Sequence, residues 1–215
     1  MKIVECIQGS EEWLAARIGK VGASRIADIV AKTKSGYSTS RANYAAELIA
    51  ERLTGKKSES YMNAAMQWGT DNEPQARAMY EFMRNVSVVE VGIVLHPTIE
   101  NAQASPDGLV GDDGLVEIKC PLTATHISTL RGGEIDGKYM KQMQWQMACT
   151  GRAWCDFCSF DPRMPAEMQI HIRRVNRDPV AIAEIAKEVC AFLAEIDSTV
   201  AELTAKYMPT AEAAE

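Results

Sequence analysis

The period of the apolar residues changes twice along this chain, and that change constrains the fold more than any other feature. Up to Arg84 apolar side chains recur at helical spacing. From Asn85 to about Val175 most of them alternate in β-branched runs, with helical stretches between, and from Pro179 onward the helical spacing returns. The first part predicts a short helix capped by Ser10 and ending at Arg17, and a second from Ala23 to Ala31. A Ser/Gly-rich loop follows over KTKSGYSTS. A longer helix then runs from Ser38 to Thr54, with Tyr44, Leu48, Ile49 and Leu53 on one face and Gly55 as its stop. The next helix, Asn63 to Arg84, contains Gly69 and Pro74 and is open to division in two.

The middle part predicts one or two strands in NVSVVEVGIVLHP, a turn through NAQASPDGLVGDDG, and a strand at LVEIKC. Helical pieces follow at Ile127–Leu130 and Lys138–Thr150, then strands at AWCDFCSF and EMQIHIRRV. The closing helix, Pro179 to about Met208, carries Ile182, Ile185, Val189, Phe192, Ile196, Val200 and Leu203 on one face. Helices, strands, a helix, strands and a helix describe one α/β domain over residues 1–208, a central mixed sheet flanked by helices, with 209–215 as a disordered tail. At 215 residues the chain can bury a core without a metal or disulfide to hold it. No apolar run approaches the roughly 20 residues of a membrane span, and MKIVECIQGSEEW turns acidic too early for a signal peptide. The expected location is therefore cytoplasmic.

Net charge is −6, which taken alone argues against a nucleic-acid partner. Its distribution is uneven. Leu14 to Lys57 holds nine Lys or Arg against three acids, whereas Asp178 to Glu215 holds two Lys against eight acids. A basic segment in an acidic chain fits a local positive surface for an anion; two solvated helix faces of opposite sign would read the same way. The six cysteines are dispersed. Cys155 and Cys158 form a C-x-x-C with no second pair at ligand spacing, and read as small buried hydrophobes. His96, His126 and His171 match no metal spacing, and His171 reads as an ordinary strand residue.

The stretch SPDGLVGDDGLVEIKC carries the chemistry. Asp107 stands at a strand end, and Glu117-Ile118-Lys119 follow after nine residues. Period two puts Glu117 and Lys119 on one face and Val116 and Ile118 on the other, toward core. If the two strands pair, two carboxylates and an ammonium converge. Two hard oxygen donors suit Mg²⁺ or Mn²⁺, and such a centre cleaves phosphodiesters. Upstream, Glu73 in WGTDNEPQA offers a third carboxylate.

Asp107…Glu117-x-Lys119 resembles the PD-(D/E)XK nuclease signature, and the words around it resemble the λ-exonuclease, or YqaJ-like viral recombinase, family. These words are WLAARIGKVGAS, Trp68-Gly69 with Glu73, SPDG, LVEIKCP, the run from Tyr139 to Gln144, and FDPRM at Phe160–Met164. They spread from Glu12 to about Arg174. The resemblance implies a restriction-endonuclease-like core and a Mg²⁺-dependent 5′→3′ exonuclease on linear double-stranded DNA. Such an enzyme degrades the 5′-ended strand processively and leaves a 3′ single strand for annealing. It implies a homotrimeric ring around the duplex, a single-strand DNA annealing protein as partner, and a phage or prophage source in a bacterial host. A ring with a basic inside and an acidic outside would reconcile the net charge with DNA.

Carried over by motif, Asp107, Glu117 and the Ile118 carbonyl hold metal, with two Mg²⁺ ions expected and Mn²⁺ able to substitute. Lys119 positions or activates the water, Glu73 sits near the metal through water, and Gln142 lies near the nucleophile. Arg17, Ser24 and Ser105 match the 5′-phosphate pocket. Arginine forks onto phosphate, and Ser24 begins a predicted helix whose free N–H groups favour an anion. Met66 matches an apolar wedge that splits the end base pair; Trp68 and Trp145 are assigned to core. The alternatives are a site-specific or Cas4-like endonuclease on the same core, and a catalytically inactive DNA-end clamp.

Overall fold

The computed structural model describes residues 1–58 and 63–208. In chain order the elements are β1 (Lys2–Val4), α1 (Glu11–Arg17), β2 (Val21–Gly22), a 3₁₀ turn at Ala23–Arg25 running into α2 (Ile26–Val30), β3 (Lys32–Thr33), β4 (Gly36–Tyr37), α3 (Thr39–Thr54) and α4 (Ala64–Arg84). Then come β5 (Val88–Val89), β6 (Ile93–Leu95), β7 (Ala102–Ala104), β8 (Gly108–Val110), β9 (Gly114–Lys119), α5 (Thr123–Leu130), α6 (Gly137–Thr150), β10 (Trp154–Phe160), β11 (Ile170–Asn176) and α7 (Pro179–Tyr207). The tail expected to be disordered, 209–215, lies outside the described residues.

The strands form two mixed sheets and a small hairpin. The larger sheet has the order β11-β10-β9-β8-β5, with β9 and β10 parallel and every other pair antiparallel. The second has the order β1-β6-β7-β2, with only β7 and β2 parallel. Just three residues, Ser105-Pro106-Asp107, carry the chain from β7 in one sheet to β8 in the other. Proline has no N–H to give a ladder, so the pairing breaks there. The Gln8 amide holds the break by donating to the Pro106 and Val91 carbonyls, each at 2.9 Å.

Helix α4 covers one face of the larger sheet, where Ala76 and Tyr80 pack on Val110, Val116, Ile118, Cys158 and Phe160. The other face carries the main core, built from α2, α3, α6 and α7 around Leu115, Phe157, Trp145 and Phe192. Helix α4 runs unbroken through Gly69 and Pro74, so the option of two helices is not realised. Tertiary packing of Ala76 and Tyr80 outweighs the one hydrogen bond that proline removes. The helical piece at Ile127–Leu130 is the second half of α5, which begins at Thr123, and the turn expected from Asn101 to Gly114 contains β7 and β8. The loop expected at KTKSGYSTS contains the β3–β4 hairpin. Its strands are two residues long, too short to show a period, and Tyr37 and Lys32 pin it to Glu188 of α7 at 2.6 and 2.7 Å.

The oppositely charged segments meet each other. Arg41 of α3 makes a two-pronged bond to Glu195 of α7 at 2.6 and 2.9 Å, Arg52 pairs with Asp197, and Lys32 with Glu188. Part of the basic segment is thus neutralised inside the chain, while Arg17 carries no ion pair among those of the described residues.

Candidate active site

The β8–β9 register pairs Gly108 with Val116, so one step further it sets Asp107 opposite Glu117. Directly opposed residues of an antiparallel pair share a face. Asp107 does not continue the ladder through its backbone; its Oδ2 accepts the Ile118 N–H at 2.7 Å instead. Glu117 is fully buried. Its Oε1 accepts from the Gln142 amide at 2.7 Å, its Oε2 from the Gln146 amide at 2.6 Å, and the Lys119 ammonium pairs with it from the same strand face. Gln142 and Gln146 are one turn apart on α6, so one helix face presents both donors. Val116 and Ile118 point the other way, into the core under α4.

Burial pushes the Asp107 carboxyl well above the ordinary carboxylate range. The charge of Glu117 adds to the push, and Lys119 only partly offsets it. For Lys119, burial works to lower the ammonium, but the charges of Glu117 and Asp107 outweigh it and raise it. Lys119 also lies 5.1 Å from the centre of the Tyr139 ring. Two carboxylates thus face each other across one lysine.

Above this floor opens a cleft of about 620 Å³, lined by Asp107, Ile118, Lys119, Gln142, Glu73, Met66 and Ser24, among others. Helix α4 is its wall. Glu73 points in from the wall, held by Arg77 at 2.6 Å. Burial raises its carboxyl, and Arg77 works against the rise. Met66, 56% exposed, stands on the same wall. Trp145 is core, as its spacing predicts, but Trp68 is not. It is half-buried on the cleft wall, because the face of α4 that bears it runs past the sheet and meets no core.

Next to Asp107 a second constellation forms. Arg17 and the Trp13 indole both donate to the Ser105 hydroxyl, at 3.3 and 3.1 Å, and the guanidinium lies 4.1 Å from the Trp13 ring centre. Gly22 lets Arg17 come close: a Cβ there would stand 3.2 Å from Nη2. The loop after Arg17 is clamped by the buried Glu51, which accepts the Gly19 N–H at 2.7 Å, and by Arg52, which donates to the Gly19 carbonyl at 2.9 Å. Burial lowers the Arg17 guanidinium, partly offset by the charges of Tyr44 and Glu51. Ser24 is exposed at the cleft, two residues beyond Gly22. It sits in a single 3₁₀ turn ahead of the five-residue α2, not in the nine-residue helix expected from Ala23 to Ala31.

The sequence reading missed Gln146 and Trp13. Each is one helical turn from a residue it did select, Gln142 and Arg17, and the i, i+4 spacing was the available signal. Cys155 and Cys158 lie in different cores on opposite faces of β10 and therefore cannot grip one ion together. His126 is buried between the Ser159 hydroxyl and the Met168 carbonyl, each at 2.8 Å. Among the described residues no three His, Cys, Asp or Glu form a metal-holding group, and no helix is long and apolar enough to cross a membrane.

The model of the YqaJ-like viral recombinase domain matches residues 12–153. An alkaline exonuclease, LHK-Exo, from Laribacter hongkongensis is 55% identical over 92% of this chain and 97% of its own, with a TM-score of 0.85. A structure of LHK-Exo in complex with dAMP superposes equally well, with a TM-score of 0.86. A phage-related exonuclease from Haemophilus somnus 129PT, 18% identical over 86% of this chain and 96% of its own, shares the fold with a TM-score of 0.66. No curated protein matches the chain significantly. With the domain model covering the cleft and its floor, and LHK-Exo matching nearly end to end, the chain belongs to the YqaJ-like viral recombinase family and is a nuclease of the exonuclease type.

Proposed function

We propose that this protein is a Mg²⁺-dependent 5′→3′ exonuclease that starts at the ends of linear double-stranded DNA and leaves a 3′ single strand for annealing. The observation that carries the reading is the placement of Asp107 across the ladder from Glu117, with Lys119 against Glu117: Asp107 and Lys119 line one cleft, and Glu117 is buried beneath it. The donors fit a hard divalent ion. Both are carboxylates, both are desolvated, and the Asp107 carboxyl is pushed up by burial and then by its neighbour's charge, the second of which a cation would relieve. Asp107, Glu117 and the Ile118 carbonyl would hold the metal, two ions being expected and Mn²⁺ able to replace Mg²⁺. When bound it neutralises the phosphate and lowers the pKa of the attacking water.

The chain's own groups do the rest. Lys119 keeps its proton between two carboxylates and orients the water. Gln142 and Gln146 hold the Glu117 carboxylate in one rotamer. Glu73 accepts a hydrogen bond from water at the cleft wall. Arg17, Ser105 and Ser24 take the 5′-phosphate. Arg17 is desolvated, lies over the Trp13 ring and makes no ion pair among the described residues, which leaves its charge for a ligand. Met66, exposed on the cleft wall, is the apolar side chain against which the end pair opens. LHK-Exo binds dAMP, and a nucleoside monophosphate is what stepwise hydrolysis releases.

The protein acts in the bacterial cytoplasm, as a homotrimeric ring around DNA with a single-strand annealing protein as partner. Digestion of linear and circular duplexes with Mg²⁺ tests the activity. Linear DNA is consumed from its 5′ ends and circular DNA is spared; cutting of the closed circle would favour an endonuclease.

A further inference from the structure

The front of α4 is poorly supported by the fold. Asn63 to Gln67 are all exposed, and no residue of the helix is buried before Ala76. Two weak points lie between. A Cβ on Gly69 would meet nothing within 4 Å, so among the described residues no element packs there, and Pro74 leaves the Thr70 carbonyl without its helical N–H. Yet this front carries Met66, Trp68 and Glu73 into the cleft.

Among the described residues, a contact from the loop after β10 ties it down. The Arg163 guanidinium stacks on the Trp68 ring, 4.3 Å from its centre. The indole N–H is buried and finds no acceptor among the described residues, so the stack is what fixes the ring. Arg163 is itself held. Asp161, fully buried, receives Nε at 2.7 Å and Nη2 at 2.9 Å, and also accepts the Thr123 hydroxyl at 2.7 Å and the Arg163 N–H at 3.0 Å. Nη2 reaches the Pro121 carbonyl, two residues after the strand that ends at Lys119. Gln169 braces the same loop through the Pro162 and Met164 carbonyls at 3.1 and 3.0 Å. A rigid loop thus ends in one planar cation laid on the wall of the cleft.

We propose that Arg163, clamped by Asp161, is a positioning residue that holds the front of α4 through Trp68, and so sets the wall against which the end of a duplex opens. Both the planar fork and the ring are needed, because a guanidinium can lie flat on a ring while it forks onto a carboxylate, whereas an ammonium is a point charge that cannot do both at once. The inference rests on the strand-opening reading above. It makes Arg163 matter for substrates whose end must be opened and matter little for those already open.

The test compares 5′-phosphorylated duplexes with paired ends and with ends frayed by several mismatches, digested with Mg²⁺ by the full chain. Arg163→Ala is expected to lower the rate on paired ends at least about tenfold relative to frayed ends, which it digests within about threefold of the unmodified protein. Arg163→Lys behaves as Arg163→Ala, Trp68→Ala shares the defect, and Trp68→Phe behaves as the unmodified protein. A 2-aminopurine in the terminal pair, read without divalent ions, brightens with the unmodified protein and stays dim with Arg163→Ala. Equal loss on both substrates, no loss on either, or full rescue by Arg163→Lys would each overturn the proposal. Failure of the unmodified protein on frayed ends would instead overturn the exonuclease reading beneath it.

Discussion

Asp107 faces Glu117 across the β8–β9 ladder with only Lys119 to balance them. Burial, with the charge of Glu117 adding to it, holds the Asp107 carboxyl above its ordinary value in the folded state, and protonating it stabilises the fold. That gain appears as pH falls through the raised value and is absent at higher pH. In EDTA at pH 8, Asp107→Asn should melt several degrees above the unmodified protein, with the gap closing as pH falls toward 4. Mg²⁺ should raise the melting temperature of the unmodified protein alone. A variant that melts lower at pH 8 would deny the repulsion.

Glu117 is aimed by two amides from α6. A hydrogen bond to a charged group contributes about 1.5–3 kcal/mol. Gln146→Ala should then lower the turnover number about tenfold to a hundredfold with little change in KM for DNA, since Gln146 lies beneath the cleft and touches no substrate. A change confined to KM would place Gln146 on the DNA instead.

Arg17 and Gly22 form a second pair. Arg17→Ala should remove most of the preference for 5′-phosphorylated over 5′-hydroxyl ends. Gly22→Ala puts a methyl 3.2 Å from the guanidinium and should reduce that preference by a smaller factor. Rates on the two ends that still differ as in the unmodified protein would move the phosphate elsewhere.

The α3–α7 ion pairs predict a stability effect unrelated to catalysis. The Arg41 side chain is only 8% exposed and also lies 4.0 Å from the Tyr37 ring centre, whereas that of Glu195 is 54% exposed. Arg41→Ala should cost about 2 kcal/mol in urea unfolding, and Glu195→Gln under about 1 kcal/mol. Equal costs would mean that the pair alone, and not the packing of Arg41, holds the helices.

The floor of the site was legible because period two is rigid. Once LVEIKC is a strand, Glu117 and Lys119 must share a face, and a D-G turn can bring Asp107 beside them. The walls were less legible. Trp68 and Trp145 look alike in a helical pattern, which marks an apolar face without saying whether core or cleft lies against it. The passage of the chain between two sheets at Pro106 is set by long-range pairing, which no local window contains. The mutual neutralisation of the basic and acidic segments was hidden for the same reason: Arg41 and Glu195 are distant in sequence and meet only when α3 packs on α7. Gln146 was concealed by its own burial, since glutamine on a helix ordinarily faces water.

The central claim is that Asp107 and Glu117 grip one divalent ion between them. Titration of Mn²⁺ into the protein without DNA, followed by electron paramagnetic resonance of the free ion, measures this directly. Saturable binding is expected for the unmodified protein, weakened at least about tenfold in both Asp107→Ala and Glu117→Ala, because each supplies a ligand the other cannot replace. Binding in either variant as tight as in the unmodified protein would contradict the account.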